Sequence, residues 1–361
     1  MAGVGLVALP GDSHLSHHRQ PRHLLLFLLF AFGSGSAAMG QITKTMREAV
    51  DAKPSRPLID QYIAGQVKSL ASDDPKAQKG ARESLANEVG SPTVSSSFLD
   101  EYADSLNIAV LPLVDGKSKS DVHVRLSAAI AVARVAAKAG NNRLSPAALA
   151  LVQDKSPAVA LWGIKAAKYI LPSMIIGLQN PAPMGQAIVD AVKTHSTGAV
   201  AEEAYNALLL QPDPNKHDDL RGYNDAVLKP YLAQPLALFE YRVKLYEDFV
   251  PPQPVADALG CKFFVMARVW QAQASPQQAQ SLQLMLDLLK GAAKQKQTAD
   301  AAVATELTEV IRQTGGAFEV AALAMKNNAL GTAAKALSKI NNDTTAGDID
   351  DIINRIETNL K

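Results

Sequence analysis

Apolar positions along this chain recur at helical spacing almost throughout, and the alternation expected of half-buried strands is nearly absent. The pattern predicts helices over 58–71, 75–89, 96–110, 121–139, 145–153, 157–171, 183–194, 198–210, 220–233, 235–248, 253–273, 276–290, 298–314, 317–327, 329–340 and 346–360. Asp74-Pro75, Ser145-Pro146, Ser156-Pro157 and Ser275-Pro276 mark starts. An Asp or Ser oxygen accepts an orphan N–H of the first turn there, and proline at the first helical position loses no hydrogen bond. Gly90, Gly140, Gly291 and Gly315 are read as stops, because glycine readily adopts the left-handed cap. Short, regular helices with brief connections suit stacked helical hairpins better than a four-helix bundle.

Internal similarity points the same way. The stretch Ser120-Asp-Val-His-Val-Arg-Leu-Ser-Ala-Ala is echoed by Asp154-Lys-Ser-Pro-Ala-Val-Ala-Leu-Trp-Gly-Ile-Lys-Ala-Ala. A looser copy begins at Ser196 and a weaker, earlier one at Asp74. Aligning Val124, Val159 and Val200 gives offsets of 35 and 41 residues, near the range of two-helix repeats. Helix 121–139 is apolar or small nearly all round, through Val122, Leu126, Ala129, Ile130, Val132, Ala133, Val135 and Ala136. Such a helix must be covered on more than one face, and neighbouring repeats would supply the cover.

On Asp121, Val124, Arg125, Ala128 and Ala129 the chain resembles the HEAT-like, armadillo-type family of helical repeats, over residues 58–210. Asp154, Val159, Ala166 and Ala167 keep part of the pattern, with Ala160 in place of the arginine; the third copy lacks the initial acid. The resemblance implies an α-solenoid used for protein binding and no catalytic residues. The expected fold is all-α, a right-handed superhelix of antiparallel helix pairs.

The N-terminal segment changes the expected compartment. Leu24 to Phe32 is a short apolar run behind Arg19 and Arg22, followed by the small residues Gly33 to Gly40. Basic region, apolar core and small-residue tract together read as a secretory signal peptide. Nine apolar residues are too few for a bilayer span, which needs about 20. The expected organisation is a signal peptide over 1–40, a linker over 41–57, HEAT-like repeats over 58–210, a polar loop over 211–225, and C-terminal helical repeats over 226–361 ending in a capping helix. Export places the protein in the periplasm or outside the cell. Removing Arg19, Arg22 and Asp12 with the signal leaves 41–361 neutral, which gives no global drive toward nucleic acid or anionic lipid.

Chemistry-bearing residues are sparse. The one cysteine, Cys261, lies in an apolar context and reads as a buried structural thiol, so no intramolecular disulfide is expected. After residue 40 only His123, His195 and His217 remain, far apart and without ligand spacing. Loop 211–225 offers Asp213, Asn215, His217, Asp218 and Asp219, but Asp218 occupies the glycine position of an EF-hand and no glutamate closes the loop. Nucleotide-binding glycine loops, His-Glu-x-x-His and Gly-x-Ser-x-Gly are absent. No catalytic residue, metal or cofactor is expected.

Of the 16 aromatic residues after position 40, nine lie between Tyr223 and Trp270. They read first as a larger core and second as a binding face, interrupted by the stiff connector Val250-Pro-Pro-Gln-Pro254. Lys290, Lys294 and Lys296 gather near one helix end. In the last helix Ile349, Ile352, Ile353, Ile356 and Leu360 form an apolar stripe that suits a terminal cap, with self-association into a homo-oligomer as the alternative. The expectation is an exported, non-enzymatic scaffold for a protein partner, without nucleic-acid binding or stable membrane insertion after signal cleavage. Candidate contact residues are Trp162, His217, Tyr223, Tyr241 and Trp270. The rivals are a carbohydrate-binding accessory or enzyme built on the 211–225 loop and the aromatic region, and a self-associating envelope component.

Overall fold

A computed structural model describes residues 41–116, 119–210, 220 and 222–361. The expected signal peptide and His217 with most of its loop lie outside the described residues. Among the described residues all regular structure is helical and no strand occurs. The helices are α1 (Lys44–Glu48), α2 (Arg56–Leu70), α3 (Pro75–Glu88), α4 (Ser96–Val114), α5 (Val122–Ala139), α6 (Ser145–Val152), α7 (Pro157–Ile176), α8 (Ala182–His195), α9 (Gly198–Leu208), α10 (Asp225–Tyr231), α11 (Ala233–Leu245), α12 (Pro254–Phe264), α13 (Ala267–Ala272), α14 (Ser275–Lys296), α15 (Ala301–Met325), α16 (Asn328–Leu337) and α17 (Ala346–Leu360).

Side-chain caps start many of them. Asp74 accepts from the Lys76 N–H, Ser95 from Phe98, Asp121 from His123, Thr197 from Val200, Asp300 from Val303 and Thr345 from Asp348. At the Ser-Pro signals no serine side chain caps its helix, although Ser156 occupies the N-cap position of α7. Ser145 lies inside α6, Ser275 inside α14, and the Ser156 N–H instead donates to the Asp154 carboxylate at 2.8 Å. Gly140 ends α5 at φ 58°, as the sequence predicts.

Most consecutive helices pack together, and the helices also line up in two rows. One row runs α2, α4, α6, α8, α11, α14, α17, and the other α3, α5, α7, α9, α12, α15, with α16 joining α15 to α17. The aligned valines Val124, Val159 and Val200 are all buried, on α5, α7 and α9. Arg125 reaches across to the next pair. Its Nε donates to Asp154 Oδ2 at 2.7 Å and its Nη1 to the Ser120 carbonyl at 2.6 Å. One carboxylate thus starts α7 and holds α5. By length and composition α7 could cross a membrane, yet it is the helix on which α5, α6, α8 and α9 all pack.

Several expectations are corrected. Residues 41–57 are not a linker: they carry α1 and a 3-10 turn at Lys53–Ser55, and Ile42, Met46 and Ala52 are buried. Arg47 pairs with Glu88 at 2.5 Å, and the Ser95 N–H donates to the Arg47 carbonyl at 2.8 Å. Gly291 and Gly315 stop nothing; both lie inside long helices where a neighbour comes close. A Cβ on Gly291 would stand 2.6 Å from the Tyr246 Cβ, and one on Gly315 would stand 2.6 Å from the Leu337 Cβ. Segments 298–314 and 317–327 are accordingly one helix, α15. The expected helix 253–273 breaks at Val265 and Met266 into α12 and α13.

The apolar stripe of α17 is spent within the chain. Ile349, Ile352, Ile353 and Ile356 are buried where α17 packs on α14 and α16, so the stripe offers no free face for the self-association considered from sequence. The three lysines are also internal fasteners. Lys290 pairs with Glu357 at 2.7 Å, Lys294 donates to the Glu247 carbonyl at 3.3 Å, and Lys296 to the Asn342 carbonyl at 3.3 Å.

Candidate functional site

The aromatic concentration between Tyr223 and Trp270 is core. Tyr231, Phe239, Tyr246, Phe263 and Phe264 are fully buried, with Phe239–Phe264 and Phe263–Phe264 ring centroids 5.8 Å and 5.5 Å apart. Tyr223 is buried as well, and its carbonyl accepts from Arg268, which also pairs with Asp225. Trp270 is half-buried against the core, and its carbonyl accepts from Gln278 at 2.7 Å. Tyr241 is half-buried on α11, with Lys193 Nζ 5.9 Å from its ring. No aromatic platform faces solvent in this region; Phe249 alone of the nine is largely exposed.

Behind the aromatics lies a closed polar knot. Arg242 meets Asp257, Tyr205 donates to Asp257 Oδ1 at 2.8 Å, and Tyr246 donates to Oδ2 at 2.8 Å. Arg242 Nη2 also donates to the Pro252 carbonyl at 2.8 Å, which fastens the proline connector. Both carboxylate oxygens of Asp257 are thus engaged by neighbouring side chains. Burial and the Asp257 charge push the Tyr205 and Tyr246 hydroxyls well above the usual phenol range. Cys261, one helical turn after Asp257, is buried, and burial raises its thiol to about 12. These groups hold structure and are not poised for chemistry. Among the described residues no three His, Cys, Asp or Glu side chains converge as metal ligands.

Trp162 is the sequence candidate that the fold places on an open surface with chemistry around it. It lies half-buried on α7, with Lys165 Nζ 4.6 Å above its ring. A groove of ≈ 290 Å³ runs here between α5, α7 and α9. Ala133 and Ala137 make a low wall on α5, with Arg134 between them; Trp162, Lys165, Lys168 and Tyr169 come from α7, and Glu203 from α9. Lys168 stands 3.9 Å from Glu203 and 5.9 Å from the Tyr169 ring centroid. Arg134 is exposed on α5.

Local sequence explains the arrangement. Positions 162, 165 and 169 recur at three- and four-residue spacing and therefore share one stripe of α7. Val159, Ile164, Ala166 and Ile170 point inward and are buried. Sequence reading singled out Trp162 but missed Arg134, Lys165, Lys168, Tyr169 and Glu203. The α7 stripe was open to detection by periodicity, whereas the approach of Arg134 and Glu203 depends on how three helices stack. The sequence candidates do not gather into one site: Trp162 is in the groove, Tyr241 lies in the other helix row, and Tyr223 and Trp270 belong to the core near α10 and α13.

Two larger clefts differ in character. The one of ≈ 740 Å³ between α11 and α14 is lined by both acids and bases, among which Lys244 pairs with Glu240 at 2.6 Å. The other, of ≈ 490 Å³, is floored by Val265, Met266, Ala317 and Val320 beside α16.

No family model matches this chain, and no curated protein matches it. Among solved structures the chain is similar to the crystal structure of an engineered protein from the Northeast Structural Genomics Consortium, at 16% sequence identity and a TM-score of 0.40, covering 84% of this chain and 81% of that one.

Proposed function

We propose that this chain is an exported, non-enzymatic scaffold of the HEAT-like kind, an α-solenoid of antiparallel helix pairs that binds a partner protein. The observation that carries the reading is the groove on α5, α7 and α9, lined by a half-buried indole and by two cations that have no ion-pair partner among the described residues. Surfaces of this make-up supply rigid aromatic and basic anchors, which dominate protein–protein binding energy. Support for the solenoid comes from the packing order, in which most helices meet a neighbour along the chain and the next helix of their own row. Support for export comes from the basic, apolar and small-residue order of residues 19–40.

Crosslinking of the full chain in its native cells, followed by mass spectrometry, tests the reading. One or two saturable protein partners crosslinked through Lys165 or Lys168 are expected, on a chain recovered from the exported fraction without residues 1–40. Crosslinks confined to the chain itself overturn the scaffold reading. Recovery from the cytosol with residues 1–40 intact overturns export.

A further inference from the structure

We infer that the groove between α5, α7 and α9 takes an acidic segment of the partner protein, one carboxylate bridging Arg134 and Lys165 while an apolar side chain lies on Trp162; the inference rests on the scaffold reading above. The charge balance of the groove points to it. Three cations and one acid line the groove, and Glu203 neutralises Lys168. Arg134 and Lys165 are left over, and among the described residues neither has a carboxylate within ion-pair reach.

The geometry of each cation fits the task. A guanidinium presents paired donors that match a carboxylate. Lys165 already holds its ammonium 4.6 Å from the Trp162 ring centroid, so little side-chain freedom is lost when an anion arrives. The volume of ≈ 290 Å³ accommodates one or two side chains of a segment crossing the helices. The indole floor favours a peptide over a bare polyanion, because only the peptide brings an apolar group to cover it.

Panning a random-peptide phage library on the full-length chain tests the inference. Enriched peptides are expected to carry an excess of Asp and Glu beside an aromatic or aliphatic residue. Arg134→Glu and Lys165→Glu should each weaken those peptides at least tenfold, about 1.4 kcal/mol. Arg134→Lys should retain most of the binding, and high salt should weaken it. Among the described residues Arg134 and Lys165 make no ion pair, so the circular dichroism of both variants should match wild type; each serves as the check on the other.

Enrichment of neutral or basic peptides, absence of enrichment, or acidic peptides indifferent to both variants overturns the inference. Retention on phosphatidylglycerol–phosphatidylcholine vesicles that Arg134→Glu abolishes, without acidic peptides, assigns the cations to lipid headgroups and overturns it too. A partner crosslinked at Lys165 through a neutral or basic segment overturns the acidic chemistry and leaves the scaffold standing. Absence of any crosslinked partner removes both.

Discussion

Arg242 and Asp257 meet fork to fork in the interior, Nε to Oδ1 at 2.9 Å and Nη2 to Oδ2 at 3.0 Å, with neither side chain appreciably exposed. Burial alone would lower the guanidinium's proton affinity, but the charge and hydrogen bonds of Asp257 outweigh it and raise that affinity. Tyr205 from α9 and Tyr246 at the end of α11 complete the donor set around the carboxylate, so one residue of α12 ties that helix to α9 and α11.

Removing one partner of this pair leaves a buried charge. Asp257→Ala is expected to cost ~3–5 kcal/mol, read as a lowered urea midpoint at unchanged slope. The double change Arg242→Met with Asp257→Leu should recover much of that loss. A single variant within 1 kcal/mol of wild type, about the worth of an exposed pair, would show that the pair adds nothing to stability.

The same knot sets a response to alkali. Tyr205 and Tyr246 are held neutral well above the usual range by burial first and Asp257 second, and burial lifts Cys261 to about 12. In the unfolded chain these groups release protons near ~10 for tyrosine and ~8.5 for cysteine. Above those values the unfolded state binds fewer protons than the native one, so stability falls with rising pH. The contribution is fully present at neutral pH and is lost as pH climbs past the unfolded values. A urea midpoint that stays level from neutral pH to well above pH 10 would contradict this. Under native conditions the Cys261 thiol should resist a thiol reagent until the chain is unfolded.

Adjacent glycines in α15 should behave oppositely. A Cβ at Gly315 meets Leu337, whereas at Gly316 nothing lies within 4 Å. Gly315→Ala is expected to destabilise by ~1–3 kcal/mol through forced repacking. Gly316→Ala should stabilise by ~0.5–1 kcal/mol, because alanine restricts the unfolded chain and favours helix. Paired thermal melts decide it, and two shifts of the same sign would count against the close-approach account.

Ala129 lies wholly buried on α5. Ala129→Asp places an uncompensated carboxylate there and should cost at least ~3 kcal/mol, which unfolds the helix layer in a thermal melt. A melt superimposable on wild type would contradict the packing described for α5.

Local signals explain what could be read before any coordinates. Asp74-Pro75 starts α3 and Gly140 ends α5 because cap chemistry acts within a few residues. The register of Val124, Val159 and Val200 was visible because each is the inward position of its own helix. Gly291 was misread for the opposite reason: a lone glycine marks either a stop or a close approach, and the deciding neighbour, Tyr246, is distant in sequence. Residues 41–57 looked like a linker because their few buried side chains, Ile42, Met46 and Ala52, show no period. Of the groove, Trp162 and the α7 stripe were legible, while Arg134 and Glu203 join them only through stacking. The Arg242–Asp257 pair left no signal at all, since nothing in their spacing distinguishes them from surface charges.

Asp154 carries a consequence for how the protein opens. It accepts both Arg125 from α5 and the Ser156 N–H at the start of α7. Fraying the first turn of α7 therefore strips a nearly buried cation of its counter-charge, and loosening Arg125 unties the start of α7. The two hairpins are latched into one unit of local unfolding. Amide hydrogens in the first turns of α5 and α7 should exchange with a common opening free energy, and Asp154→Asn should split that single event into two.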